Sequence, residues 1–208
     1  MTEQQISRRE QNKLETRRAI AQAALDLART HGMGGFTAEQ IADQANVSRR
    51  TFFNYFHSPE EALIVSTESF LDRAEAELAA RPQNEPILDA MIAALAATTK
   101  VENLKDCGDL FRMAAGNPDL LGTHLLAWER AEARIISAVE HRLRDQASTL
   151  YVHALVGSLL SCAKAAMSEW ASSETADSGN DNNDAQSLEN SIVATLTMLR
   201  DGFSRPFS

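Results

Sequence analysis

The chain has 208 residues, 44% of them apolar, and a net charge of −9, enough to bury a substantial core as one or two domains. No run approaches the roughly 18 uncharged apolar residues of a membrane span. The N-terminus MTEQQISRRE lacks the apolar stretch of a signal peptide, and Cys107 and Cys162 lie far apart with no pairing pattern, which argues for a reduced, cytoplasmic setting without a membrane.

Only nine glycines and five prolines occur among abundant Ala, Leu, Glu and Arg, which predicts an all-α protein. The net charge hides an asymmetry. Residues 1–57 carry eight basic and six acidic side chains; the remainder carries 12 basic and 23 acidic ones. A mildly basic head on an acidic body suits a polyanion binder that touches its target only with the head.

In chain order, the first predicted helix covers about 8–31, with Ile20, Ala24 and Leu27 at helical spacing. Its start, SRREQNKLETRR, reads either as a solvated helix end or as a phosphate contact. HGMGGF ends it at glycine. Residues 37–45 form a second, two-turn helix with Thr37 and Gln40 as a capping box. Asn46 tolerates the left-handed backbone of a sharp turn, and Ser48 is an N-cap for RRTFFNYF. That segment holds four of the chain's 12 aromatics. At 100° per residue Phe52 and Phe56 share an inward face with Tyr55 beside it, while Arg50, Phe53 and Asn54 project outward and Arg49 and Thr51 stand near the N-terminal end. SPEE then opens a long helix to about Ala80, with Ser58 as cap, Pro59 at the first position and Glu61 completing a second box. Two short helices across a tight turn, flanked by longer ones, make a helix-turn-helix.

Beyond RPQNEP the spacing predicts helices at about 86–100, 103–115, 117–145, 147–171 and 186–201. Between the last two, 172–185 is small, polar and acidic and is expected to be a mobile loop. The expected domains are 1–57, the helix-turn-helix head, and 58–208, a larger helical body. Enzymatic or metal chemistry has no motif to carry it. HExxH, GxGxxG, a Walker loop and GxSxG are all missing, the five histidines show no ligand spacing, and Ser161-Cys162-Ala163-Lys164 matches SxxK only by chance inside an apolar helix. No cofactor and no metal are expected.

Residues 37–63, TAEQIADQANVSRRTFFNYFHSPEEAL, resemble the DNA-binding signature of the TetR family of bacterial repressors. The resemblance implies a recognition helix at 48–55, from Ser48 to Tyr55. Arg49, Arg50 and Asn54 then meet base edges, a role that suits Arg toward guanine and Asn toward adenine. Thr37 and Thr51 correspond to phosphate contacts. Phe53 stands where many members have tyrosine, so a hydroxyl is lost and a ring is left to press on a thymine methyl or a sugar. Pro59 replaces a usual phosphate-binding lysine, and His57, when protonated, would supply some of that attraction.

The resemblance also implies a palindromic operator in double-stranded DNA, a homodimer, and a small, largely apolar effector in the body. Met91, Leu95, Phe111, Met113, His124, Leu125, Trp128, Cys162 and Met167 are therefore either simple core or the wall of a cavity, with His124 and Trp128 sharing a face at i, i+4. Residues 117–143 resemble an actinobacterial subgroup described as binding acyl-CoA-like ligands. Ala154, Gly157, Ser158, Ser161 and Ala165 would let helices of a dimer bundle approach closely, with Leu188, Ile192 and Leu196 as its seam, although a monomer core would look the same. The expected function is an effector-released repressor. The alternative is a helical module whose helix-turn-helix contacts a protein partner.

Overall fold

The computed structural model describes residues 8–99, 104–173 and 181–204, which are helical throughout apart from turns. Helix α1 spans Arg8–His31 and buries Ile20, Ala24 and Leu27 on one stripe. Gly32 stops it with a left-handed backbone, φ +72°, its N–H still reaching the Ala28 carbonyl at 3.0 Å. Thr37 caps α2 (Ala38–Gln44) in a complete box with Gln40. The turn after α2 is a Schellman motif: Asn46 has φ +54°, and the N–H groups of Asn46 and Val47 reach the carbonyls of Asp43 and Ala42. Ser48 then caps α3 (Arg49–Tyr55) by accepting from the Thr51 N–H at 3.0 Å.

The helix expected from Ser58 to Ala80 is two helices. Helix α4 covers Pro59–Leu63, and after a turn at Ile64 α5 covers Val65–Ala80. Residues 62–65 are all buried. Four consecutive residues span most of a helix circumference at 100° each, so both sides of this segment must be covered. Helix α1 covers one side and α8 the other. Ser58 does cap α4, but Glu61 does not close a box with it; its carboxylate accepts instead from the His57 N–H, one residue earlier.

The body follows as α6 (Ile87–Thr98), α7 (Leu104–Ala115), α8 (Pro118–Leu143), a 3₁₀ turn at Arg144–Gln146, α9 (Thr149–Ser172) and α10 (Asp181–Arg200). Asn117 caps α8 as its position before Pro118 predicts. The expected loop at 172–185 is shorter than its composition suggests: Ser172 closes α9 and α10 begins at Asp181, while 174–180 lie outside the described residues. Helix α9 is long and apolar enough to cross a membrane by length and composition, but nine of its residues are buried and it packs against α7, α8 and α10. At Gly108 helix α7 crosses so close to α9 that a Cβ would lie 2.4 Å from the Trp170 ring.

Two apolar clusters result. One fills the body between α5, α6, α8, α9 and α10. The other is the head core, built on Phe36, Ile41, Phe52 and Phe56, and it does not stop at the head: Leu110 and Ala114 of α7 and Leu120 and Ala127 of α8 complete it. Ion pairs join the same elements. Arg17 of α1 meets Glu68 of α5 at 2.7 Å, and Arg29 of α1 meets Asp106 and Asp109 of α7 at 2.7 and 2.6 Å. Asp109 is 4% exposed. Burial works against the Arg29 charge, but these two carboxylates hold its pKa above its ordinary value. Helix α7 is thus gripped by the head on one side and by α9 and α10 on the other.

Candidate nucleic-acid interface and effector core

The short helix α3 sorts its residues as the 100° rotation predicts. Phe52 and Phe56 are buried, their ring centroids 5.9 Å apart; Tyr55 is half-buried against the head core. Arg49, Arg50, Phe53 and Asn54 are exposed. Phe53 is 45% exposed. The Arg49 guanidinium lies 5.4 Å from the centre of that ring and 2.9 Å from Glu39. Both members of the Arg49–Glu39 pair are mostly exposed, so little energy holds them together. Arg50 and Asn54 make no hydrogen bond among the described residues. Two guanidinium groups, an amide and a ring therefore share one accessible surface.

The flanking hydroxyls have structural duties. Thr37 Oγ1 accepts from the Gln40 N–H at 3.3 Å, leaving its own O–H to donate elsewhere. Ser48 and Thr51 share a hydroxyl–hydroxyl bond of 2.8 Å, so one of those two protons is already used. His57 is exposed, with Nδ1 2.8 Å from the Glu61 carboxylate. Burial pushes the Glu61 carboxyl up, but the His57 backbone and ring hydrogen bonds, with the charges of His57 and Arg17, hold it below its ordinary value. Any positive charge on His57 is therefore partly neutralised within the fold.

The nine body residues do not form one wall. Phe111, His124 and Trp128 are together: the Phe111 ring lies 4.5 Å from His124 and 5.9 Å from Trp128. Met167 is buried beside Cys107. Met91 and Leu95 line a separate apolar cavity of about 20 Å³, with Leu78, Ile135, Leu159 and Leu160. That is room for about one water molecule. Cys162 is buried in the body core, and burial raises its pKa; Cys107 is pushed up to about 12 for the same reason, so neither thiol is poised to react. Two assignments are corrected. Leu125 is 53% exposed on the outside of α8, and Met113 packs against the head core instead of the body interior.

His124 holds the one polar group of this cluster with an unmet need. Trp128 Nε1 donates to its Nε2 at 2.8 Å, which puts the ring proton on Nδ1. That Nδ1 is buried without a partner among the described residues. Burial lowers the His124 pKa from 6.5 to about 4. The folded state thus binds fewer protons than the unfolded chain between these values, so its contribution to stability is complete above pH 6.5 and lost progressively toward pH 4. Between pH 7.5 and 5 the loss should be about 2 kcal/mol. Urea unfolding at the two pH values reads it, and His124→Phe should flatten the difference while lowering the plateau.

The expected dimer seam is also corrected. Leu188, Ile192 and Leu196 are buried inside the chain's own core, and Gly157 faces α8, where a Cβ would lie 3.3 Å from Glu132. Ala154, Ser158, Ser161 and Ala165 are exposed along one stripe of α9, and Val193 and Ala194 are exposed on α10, which packs against α9. The Arg29–Asp109 grip had no sequence signal, because the two residues lie 80 positions apart.

Residues 20–63 match the family model for bacterial regulatory proteins of the tetR family, and residues 85–203 match that of the MftR C-terminal domain. The HTH-type transcriptional regulator TcmR of Streptomyces glaucescens is 33% identical over 139 residues; the match spans 60% of this chain and 60% of that relative's length. Among solved structures, a TetR-family regulator from Syntrophomonas wolfei superposes with a TM-score of 0.62 at 16% identity, over 90% of this chain and 95% of that one. Thermus thermophilus FadR, a TetR-family repressor in complex with lauroyl-CoA, superposes with a TM-score of 0.52 at 23% identity, over 92% and 97%. With the two family models covering the helix-turn-helix and most of the helical body, the chain belongs to the TetR family of transcriptional regulators.

Proposed function

We propose that the protein is an effector-released repressor that binds a palindromic operator as a homodimer, one α3 in each of two major-groove half-sites. The observation that carries this reading is the outward face of α3, where Arg49, Arg50, Phe53 and Asn54 are all accessible while Phe52 and Phe56 anchor the helix from behind. Thr37, Thr51 and the α3 N-terminus would hold phosphates and fix register. The partner's copy of the small-residue stripe on α9, with Val193 and Ala194 of α10, would complete a four-helix interface. A two-fold axis through it requires half-sites about one helical turn or a simple multiple apart.

For the effector, the buried Nδ1–H of His124 beside Phe111 and Trp128 supports an apolar molecule with one hydrogen-bond acceptor, such as an acyl thioester. The lauroyl-CoA bound by the Thermus thermophilus relative is of that class. The Met91–Leu95 cavity is too small for an acyl chain as it stands, so binding would have to move α6 or α9 apart. Helix α7 would carry that movement, because Phe111 touches His124 on one side and Asp109 holds Arg29 of the head on the other.

Selection of bound duplexes from a random pool tests the core of this reading. An enriched inverted repeat, with affinity falling steeply as salt rises, is the expected result. Failure to enrich any sequence at low salt would overturn it. Release of the selected operator by lauroyl-CoA, and its loss in His124→Phe, would test the effector class separately.

A further inference from the structure

A polar cleft of about 490 Å³ opens between α1 of the head and α5 and α7 of the body, away from the apolar cavity. Arg18 lines it from α1 and Arg73 from α5, together with Ser66 and Ser69 of α5. Two carboxylates also line it, but both are taken: Asp106 by Arg29 at 2.7 Å and Asp72 by Arg134 at 2.6 Å. Nearby Glu68 is held by Arg17. Neither Arg18 nor Arg73 has an ion-pair or hydrogen-bond partner among the described residues, and the Arg73 Nε is fully buried while unsatisfied. A buried guanidinium N–H without an acceptor is a cost that the fold leaves standing.

We propose that this cleft binds a small phosphate-bearing molecule, its phosphate bridging Arg18 and Arg73. Guanidinium groups match phosphate oxygens in paired hydrogen bonds, and two serine hydroxyls can satisfy what remains. The cleft has the volume of a metabolite site, and two guanidinium groups stand in its lining. Because one arginine belongs to the head and the other to the body, occupancy fixes the angle between them. That regulatory consequence rests on the repressor reading; the binding does not.

The test is calorimetric titration of the full chain, without DNA, with inorganic phosphate, glucose 6-phosphate and coenzyme A, against glucose with potassium chloride at matched ionic strength. Saturable one-to-one binding of a phosphate compound, weakened at least tenfold in both Arg18→Gln and Arg73→Gln, is expected. Coenzyme A binding while the two smaller probes do not would identify the phosphate as part of a larger effector, still held by the same pair. Ligand-free Arg73→Met should unfold at a temperature no lower than the unaltered protein, since its Nε has nothing to lose. No saturable binding by any phosphate probe, or binding by both arginine variants as tight as that of the unaltered protein, would overturn the proposal. Because DNA is absent from the titration, its failure and that of the operator reading are distinguishable.

Discussion

Arg50→Ala should weaken operator binding by about 1–3 kcal/mol per half-site, roughly ten- to a hundredfold, and relax the preference for one base in each. Arg50 is the side chain best placed for this effect, because it is exposed on α3 without a partner among the described residues. Arg49 must first leave Glu39 and the Phe53 ring, though both contacts are weak and exposed. Anisotropy titrations with the selected operator and its single-base variants would separate base reading from phosphate anchoring. Thr37→Ala, at the proposed phosphate contact, should lower affinity for all variants alike. If Arg50→Ala left both affinity and base preference unchanged, the assigned docking face would be wrong.

Adjacent aromatics on α3 should behave in opposite ways. Phe52→Ala should cost about 3–5 kcal/mol of stability, as removal of a fully buried ring does. Its ring meets Phe53 edge-on at 5.2 Å and lies at the centre of the head core, which also holds Leu110 and Ala114 of α7. The damage should therefore reach the junction with the body as well as the head. Phe53→Ala, half-exposed, should change stability by only about 0.5 kcal/mol or less yet reduce operator affinity. Urea unfolding for both variants, paired with DNA titration of the second, checks the contrast. A large stability loss in Phe53→Ala would mean that the ring serves packing and not DNA.

The pH dependence of His124 and the phosphate cleft bear on the same architecture from different sides. His124 reports on the apolar interior of the body, where burial keeps it neutral. Arg18 and Arg73 report on the junction, where both line the cleft between α1 and α5 without a partner among the described residues. Helix α7 touches both regions. Its Asp106 borders the cleft and its Phe111 packs on His124.

Local chemistry was sufficient for the reading head. The capping oxygens of Thr37, Ser48 and Ser58, the tolerance of Asn46 for a left-handed turn, and the 100° rotation that buries Phe52 while exposing Phe53 all act within a few residues, so the amino-acid sequence by itself determined the helix-turn-helix and its presented face. Helicity in the body was equally legible from spacing. What an apolar stripe packs against is a long-range matter, set by which helices the whole fold brings together. Leu188, Ile192 and Leu196 look alike as core or as dimer seam until α9 is seen to cover them, and Leu125 differs from buried Leu120 only through its rotation on a packed α8. The turn at Ile64 arises because α1 and α8 close on both sides of residues 62–65. Arg29 and Asp109 stand 80 positions apart, and no local signal pairs them. Caps and turns draw on bonds within one or two turns of chain, whereas the ion pairs, the cleft and the junction draw on which helix happens to lie opposite, a choice made by the packing of the whole.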